Sequence, residues 1–310
     1  MGKATREAYG NTLAAVGAKN KNIVVLDADL SKSTKTNVFK EQFPDRFFNV
    51  GIAEQNLISV GAGLAAAGKI PFVSSFAMFA TGRAFEQIRN AVCYPKLNVK
   101  VCATHAGITV GEDGATHQSL EDIACMRVLP NMTVVVPADE AETTSVIEWA
   151  ANYQGPVYVR LGRAGVDDTT PAGYQFVPGK SQTLVEGADL TIIACGALVG
   201  PAVEGAKELA QAGISARVIN MASIKPIDKD AIVKAAQETG AILTAEEHNV
   251  LGGLGSAVAE VVVQEAPVPM AFVGVQDSFG ESGTPKELMA KYGLTAKDIV
   301  AAAKKLVARK

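Results

Sequence analysis

Two of the three histidines in this chain fall within one glycine-rich stretch, Thr104 to Gln118. There His105 and His117 accompany an acid pair, Glu112 and Asp113, and glycines at 107, 111 and 114. Imidazole exchanges protons near neutral pH and glycine lets a ligand approach the backbone, so the stretch could grip hydroxyl or phosphate groups and move a proton. The same residues also suit an acidic turn with a capping histidine, or a metal site of His105, Asp113 and His117 whose geometry spacing leaves open. A second group is Asn49 to Asn56, where Glu54 opens an otherwise apolar helix. It could serve as an acid in catalysis or simply complement the helix dipole. The third is Ser74 to Phe79 with Phe85 nearby, phenylalanines closely spaced in a chain only 6% aromatic. They fit a hydrophobic core or the wall of a cofactor pocket.

Positioning these groups falls to short β-branched runs that alternate with alanine-rich amphipathic stretches, the pattern of a parallel sheet covered by helices. The class is α/β. Strands are expected at Ile23 to Leu26, Pro71 to Ser74, Val99 to Ala103, Thr133 to Val136 and Val157 to Leu161. The histidine stretch then directly follows a strand, where open α/β sheets bind ligands. Asp139 with Glu142, and Ser119 with Asp122, have the spacing of helix caps. From Gly162 to Gly187 the periodicity fails and Pro171, Gly173, Pro178 and Gly179 appear. Residues 1–165 are therefore read as one domain, 166–187 as a linker and 188–310 as a smaller α/β domain. The second domain restarts with Leu190 to Cys195, Ala216 to Ile219 and Ile242 to Ala245 as strands. Thr284 to Glu287 and Thr295 to Asp298 open its last helices with caps.

With 310 residues, 48% apolar and 20% charged at a net charge of −3, the chain is long enough for about two domains with their own cores. Its basic residues form no run longer than two, which argues against nucleic acid or an anionic membrane as partner. Cys93, Cys102, Cys125 and Cys195 form no Cys-x-x-Cys pair and read as reduced thiols. The start of the chain lacks a signal-peptide pattern, and no apolar run approaches the roughly 20 residues of a membrane span. A cytoplasmic location is expected.

Taken together, Gly51-Ile-Ala-Glu54-Gln, Ser75-Phe76-Ala-Met-Phe79 and Gly111-Glu-Asp-Gly-Ala-Thr-His117-Gln resemble the transketolase family of thiamine diphosphate enzymes. The likeness extends through Asp27-Ala-Asp29-Leu30, Arg160-Leu-Gly-Arg163 and Glu246-Glu-His248-Asn-Val-Leu-Gly-Gly-Leu-Gly255, and so covers nearly the whole chain. It implies a pyrimidine-binding parallel-sheet domain followed by a transketolase C-terminal-like domain.

By this resemblance Glu54 is the acid that hydrogen-bonds the aminopyrimidine ring of the cofactor. A proton shared with the ring nitrogen favours the imino form, which can deprotonate the thiazolium carbon. Phe76 and Phe79 stack on the pyrimidine, and Asp29 lies near the thiazolium. Where transketolases complete the pocket with a third aromatic this chain has Gly82, and Phe85 is the candidate substitute. His105 and Arg163 hold an acceptor phosphate, with Arg6 and Ser33 as further candidates, since the arginine fork donates parallel hydrogen bonds. An ion pair at the domain boundary is the plainer reading of Arg163, and a solvated helix face that of Arg6. Asp113 recognises a substrate hydroxyl, and His117 sits at the reacting hydroxyl. The Glu246-Glu247-His248 turn reads as an interface and folding feature.

Full-length transketolases resemble this chain only in their second half. Their first half carries Gly-Asp-Gly and an Asn-rich turn that hold magnesium and the diphosphate, and neither occurs here. No metal ligand is therefore assigned in this chain. The resemblance implies a split enzyme in which a separate N-terminal subunit holds Mg2+ and the diphosphate, two copies of each chain making a heterotetramer. Its reaction would be transfer of a two-carbon ketol unit from a ketose phosphate to an aldose phosphate. Cleavage next to the carbonyl leaves a carbanion that the thiazolium delocalises. The alternatives are a 1-deoxyxylulose-5-phosphate synthase-like subunit, a 2-oxo acid dehydrogenase beta-like subunit, and a non-catalytic α/β assembly subunit.

Overall fold

The computed structural model describes residues 2–310. Twelve strands among them form two sheets: β1 Ile23–Asp27, β2 Phe47–Asn49, β3 Ile70–Ser74, β4 Lys100–Ala103, β5 Thr133–Val135, β6 Val157–Arg160, β7 Gln182–Val185, β8 Leu190–Ala194, β9 Ala216–Asn220, β10 Ser223–Lys225, β11 Ile242–Asn249 and β12 Met270–Val275. The first sheet has seven strands in the order β10-β5-β6-β4-β3-β1-β2, and the second five in the order β12-β11-β8-β9-β7. Pairing is parallel throughout except at two edges, where β10 runs antiparallel to β5 and β7 antiparallel to β9.

The strand sequences explain the parallel sheets. β1 is Ile-Val-Val-Leu-Asp and buried at every position, as a strand covered on both faces must be. On one face the helices Thr5–Lys19 and Glu140–Asn152 pack Tyr9, Leu13, Val146 and Ile147 against Val25 and Phe72. On the other face, helix Glu54–Ala66 sets Leu57 and Ile58 in a cluster with Leu26 and Val101. That cluster continues without a break into Ile193, Ile219 and Leu254 of the second half, so the two sheets share one apolar interior.

The five strands expected in the first half are all present, with ends differing by a residue or two. Three features differ from the sequence reading. β7 lies inside the stretch read as a linker, and there it closes the edge of the second sheet through β9. β10, from the second half, crosses to become the edge strand of the first sheet. Ser119 does not cap the helix Asp122–Arg127: its hydroxyl is buried without a partner, and Asp122 is drawn instead into a buried ion pair with Arg160. The other expected caps form, with Asp139 accepting from the Glu142 backbone and full capping boxes at Thr284 and Thr295. Among the described residues no helix is long and apolar enough to cross a membrane.

Candidate active site

The candidate residues emerge at the carboxyl ends of neighbouring strands of the first sheet. Asp29 and Ser33 follow β1, Glu54 follows β2, Phe76 and Phe79 follow β3, and His105 follows β4. Beyond their named ends β3 and β4 stay paired. Thr104 N–H donates to Ser75 O at 3.1 Å and Ala77 N–H to Thr104 O at 2.7 Å. This pairing places Phe76 beside His105, and their rings stack with centroids 3.8 Å apart.

Phe76 and Phe79 lie nearly parallel, 18° between planes and 6.1 Å between centroids, at the start of a wide π-helical turn over Met78–Arg83. His117 closes the group edge-on, 5.2 Å from Phe79 and 6.3 Å from Phe76. Two aromatic rings and two imidazoles thus form one wall. Phe85 stands elsewhere, packed against the apolar interior, and among the described residues it makes no ring contact with Phe76 or Phe79.

Glu54 is 1% exposed, and its Oε2 accepts a hydrogen bond from Arg83 Nη1 at 2.7 Å. Its position in the first turn of helix Glu54–Ala66 also puts its negative charge at the positive end of the helix dipole. Arg83 is half exposed and lies over the Phe79 ring, 4.8 Å from its centroid. It therefore links the carboxylate to the aromatic wall. Sequence reasoning passed over Arg83, whose only local mark is that it follows Gly82.

His105 is buried and held from both sides. Arg6 Nη1 approaches its Nε2 at 3.2 Å and Thr104 Oγ1 its Nδ1 at 2.9 Å. A guanidinium only donates, so Nε2 accepts and Nδ1 carries the proton, donated to Thr104. Burial, then the nearby Arg6, Arg163 and His117, push the imidazole pKa down to about 3, so the ring is neutral. His117 has the matching arrangement, with Thr116 Oγ1 at 2.9 Å from Nδ1. The dipeptide Thr-His at both places was a signal available in the sequence.

Arg6 also donates to Ser33 O at 3.0 Å, which brings the first turn and the histidine stretch together. Burial, then Arg163, lower the Arg6 pKa from its ordinary value. Asp27 anchors that turn: its buried carboxylate accepts from Leu30 N–H, Thr34 Oγ1 and Thr36 Oγ1 at 2.5 to 2.9 Å. Asp29 sits with φ +66° and accepts from Asn49 Nδ2 at 2.8 Å, tying the turn to the segment before Glu54. His105 too has positive φ, +57°, a costly conformation for a residue with a side chain and one that clusters at functional sites.

Arg163 is one-third exposed and pairs with Glu112 Oε2 at 2.6 Å and with the Val110 carbonyl. Arg163 thus does form an ion pair, but within the histidine stretch of the first domain and not with a residue of the second. Asp113 is exposed beside it. Among the described residues no three His, Cys, Asp or Glu side chains are grouped to hold a metal ion, so His105, Asp113 and His117 do not form such a set.

The family model for the pyrimidine-binding domain of transketolase matches residues 1–167, and that for the transketolase C-terminal domain matches residues 179–299. The chain belongs to the transketolase family. A putative transketolase C-terminal section from Methanocaldococcus jannaschii is 51% identical over 302 residues, 96% of this chain and 94% of that protein. A 6-deoxy-6-sulfo-D-fructose transketolase subunit from a Clostridium species is 44% identical, covering 98% of this chain and 95% of that one. Among solved structures, a split gene transketolase described as an inactive beta4 tetramer superposes with a TM-score of 0.93 at 59% identity, over 99% of both chains. Like those transketolase chains, this one carries a pyrimidine-type domain followed by a C-terminal domain, both α/β with mostly parallel sheets.

Proposed function

We propose that this chain is the pyrimidine-binding and C-terminal subunit of a two-chain transketolase that moves a two-carbon ketol unit from a ketose phosphate to an aldose phosphate. The observation that carries this is a buried carboxylate, Glu54, linked through Arg83 to a stacked aromatic wall that His105 and His117 complete. The family uses thiamine diphosphate, and the donor set here fits its pyrimidine end: flat apolar faces for a ring and a buried acid for a ring nitrogen. When bound, that cofactor supplies the electron sink for cleavage of the carbon–carbon bond next to a carbonyl.

Each side chain then has a defined task. Glu54 would share a proton with the ring nitrogen, with Arg83 engaging only its Oε2 from a half-exposed position. Phe76 and Phe79 would hold the ring and exclude water, and Asp29 would serve the thiazolium side. Phe85, packed against the apolar interior, is given no part in holding the ring. His105 offers neutral donors and acceptors, and His117 exchanges a proton with the reacting hydroxyl through Nε2, since Thr116 engages Nδ1. Arg6 and Arg163 bind the anionic end of the sugar, with Ser33 fixing Arg6, and Asp113 takes a hydroxyl.

A separate N-terminal subunit holds the diphosphate and Mg2+, and the two chains assemble as a heterotetramer in the cytoplasm. Two things support this. The relatives named as a C-terminal section or as a subunit match this chain nearly end to end. The segment bearing Glu54 also exposes large apolar side chains, Phe48 at 40%, Ile52 at 78% and Val60 at 37%, a surface suited to burial by a partner.

The test is Glu54→Gln in the complex captured with its partner, assayed for ketol transfer from xylulose 5-phosphate to ribose 5-phosphate. Transfer should fall by at least about 10²-fold, the scale of a lost acid–base group, with partner affinity unchanged. Retained turnover would remove Glu54 from this role. A wild-type complex that binds no cofactor and moves no ketol unit would instead favour the assembly-subunit alternative, and one that binds cofactor without this transfer would favour the synthase-like or dehydrogenase-like alternative.

A further inference from the structure

We infer that Glu247, from the C-terminal domain, is a positioning residue that holds the histidine stretch 105–118 in register with the aromatic wall. The inference rests on the functional reading above and assigns the second domain a part in it. The Glu247 carboxylate is buried at 3% exposure, and its Oε1 accepts from Thr109 N–H at 2.6 Å across the domain boundary. Thr109 lies between the two histidines, so this bond fixes the backbone that carries both. The loop is shaped to receive the carboxylate. Gly107 has φ +84°, and a Cβ there would stand 2.3 to 2.8 Å from the Glu247 carboxylate atoms, so both its conformation and its contact demand glycine.

Glu247 is itself held firmly. Its main-chain carbonyl accepts from Arg160 Nη2 at 2.8 Å, and Arg160 is locked by Asp122. A second tie secures the far end of the stretch. Gln118 Nε2 donates to Glu281 O at 3.0 Å and to Ile108 O at 3.1 Å, and Gly280 leaves room for that amide. The histidine stretch is thus clamped near both ends by the second domain. Glu54, Phe76 and Phe79 lie on other segments and take no part in this clamp.

That separation makes the claim testable. In the complex with its partner, Glu247→Ala should raise amide hydrogen exchange of residues 105–118 by at least about ten-fold, because the Thr109 amide loses its acceptor. The kcat for sugar transfer should drop by up to about 10²-fold, the scale of a misplaced reacting group, while thiamine diphosphate affinity stays within about two-fold. Glu247→Gln keeps an acceptor oxygen and should restore most of the exchange protection and rate. Should Glu247→Ala fail to fold, Gln118→Ala removes the other tie without unpairing a buried carboxylate and should loosen the same peptide.

Unchanged exchange in 105–118 for the variant that folds would overturn the proposal. So would cofactor affinity falling in step with the rate, which marks general damage and not positioning. The exchange measurement needs no turnover. A wild-type complex without ketol transfer would defeat the functional reading while the exchange result still decided whether Glu247 holds the loop.

Discussion

The buried pair Asp122–Arg160 sits where the two domains meet, and Asp122→Ala should be among the most damaging single changes in the chain. Asp122 is fully buried and Arg160 is 5% exposed. Asp122 Oδ2 accepts from Arg160 Nε at 2.8 Å and from Tyr158 Oη at 2.6 Å. Truncation would leave the guanidinium hydrogen-bonded only to carbonyls, Glu247 O at 2.8 Å and Ser119 O at 3.5 Å, with the buried Glu247 carboxylate as its remaining charge partner. Breaking a buried ion pair costs about 3–5 kcal/mol, here toward the low end because Glu247 remains near the guanidinium, and an orphaned Tyr158 hydroxyl adds about 1 kcal/mol or more. Set against a total stability of about 5–15 kcal/mol, that is a large fraction.

The assay is urea unfolding of the full chain followed by far-ultraviolet circular dichroism and by Trp149 fluorescence. The two probes together would show whether the halves separate in unfolding. Asp122→Ala should lose about 4 kcal/mol, and Asp122→Ala with Arg160→Met should recover at least about 2 kcal/mol of it, since the second change removes the stranded charge. A loss below about 1 kcal/mol, or a double variant no better than the single, would refute the reasoning. Acid should act in the same direction. Burial opposes ionisation of Asp122, but Arg160 and His248 outweigh it and hold the carboxyl below its ordinary value. The stabilisation is therefore complete above the ordinary aspartate range, and it is lost as pH falls through the lowered pKa.

Further outcomes follow from the site. Arg83→Ala should cost about 1–3 kcal/mol in urea titration, less than Asp122→Ala because Arg83 is half exposed, but more than a surface pair because the carboxylate it leaves, Glu54, is 1% exposed. Phe76→Ala, which empties a buried position, should cost about 3 kcal/mol or more, whereas Phe79→Ala at a half-buried position should cost less; calorimetry of both variants gives the order. By NMR titration between pH 5 and 8, the His105 imidazole should stay neutral, its pKa having been pushed down to about 3. Because the unfolded chain takes a proton near 6.5 that the folded one refuses, the His105 contribution to stability is intact above that value. It weakens as pH falls from there toward about 3. A His105 resonance titrating near 6.5 would count against the buried Arg6–His105 contact.

Much of the first domain was legible because its signals are local. The run Ile23 to Leu26 is apolar throughout and mostly β-branched and forms a fully buried strand, and Asp139 with Glu142 caps its helix through atoms three residues apart. What escaped depends on partners distant in sequence. β10 is a three-residue strand with no pattern of its own, and it becomes a strand by pairing with β5 in the other domain. β7 lay hidden among prolines and glycines because an edge strand needs little apolar content. Ser119 and Asp122 have ideal cap spacing, but a fully buried arginine claims the carboxylate, and that demand outweighs a cap.

The site divides in the same way. Residue types and motif order brought out Glu54, Phe76, Phe79, His105 and His117; the structure gathers the two phenylalanines and two histidines into one wall, with Glu54 joined to it through Arg83. Arg83 went unremarked, and Thr104, Thr116 and Asn49, though inside the stretches singled out, were given no role of their own, since their roles are set by hydrogen bonds that only the fold brings within reach. Phe85, a candidate for the ring pocket because it is aromatic and nearby, faces the apolar interior.

The central claim is that this chain supplies half of an active site. The most direct measurement compares the purified chain alone with the chain captured together with its partner, scoring bound thiamine diphosphate and ketol transfer from xylulose 5-phosphate to ribose 5-phosphate. The account predicts cofactor and transfer in the captured complex, with a co-purifying chain that bears Gly-Asp-Gly, and neither property in the chain alone. Transfer by the chain alone, or a complex that binds no cofactor, would contradict it.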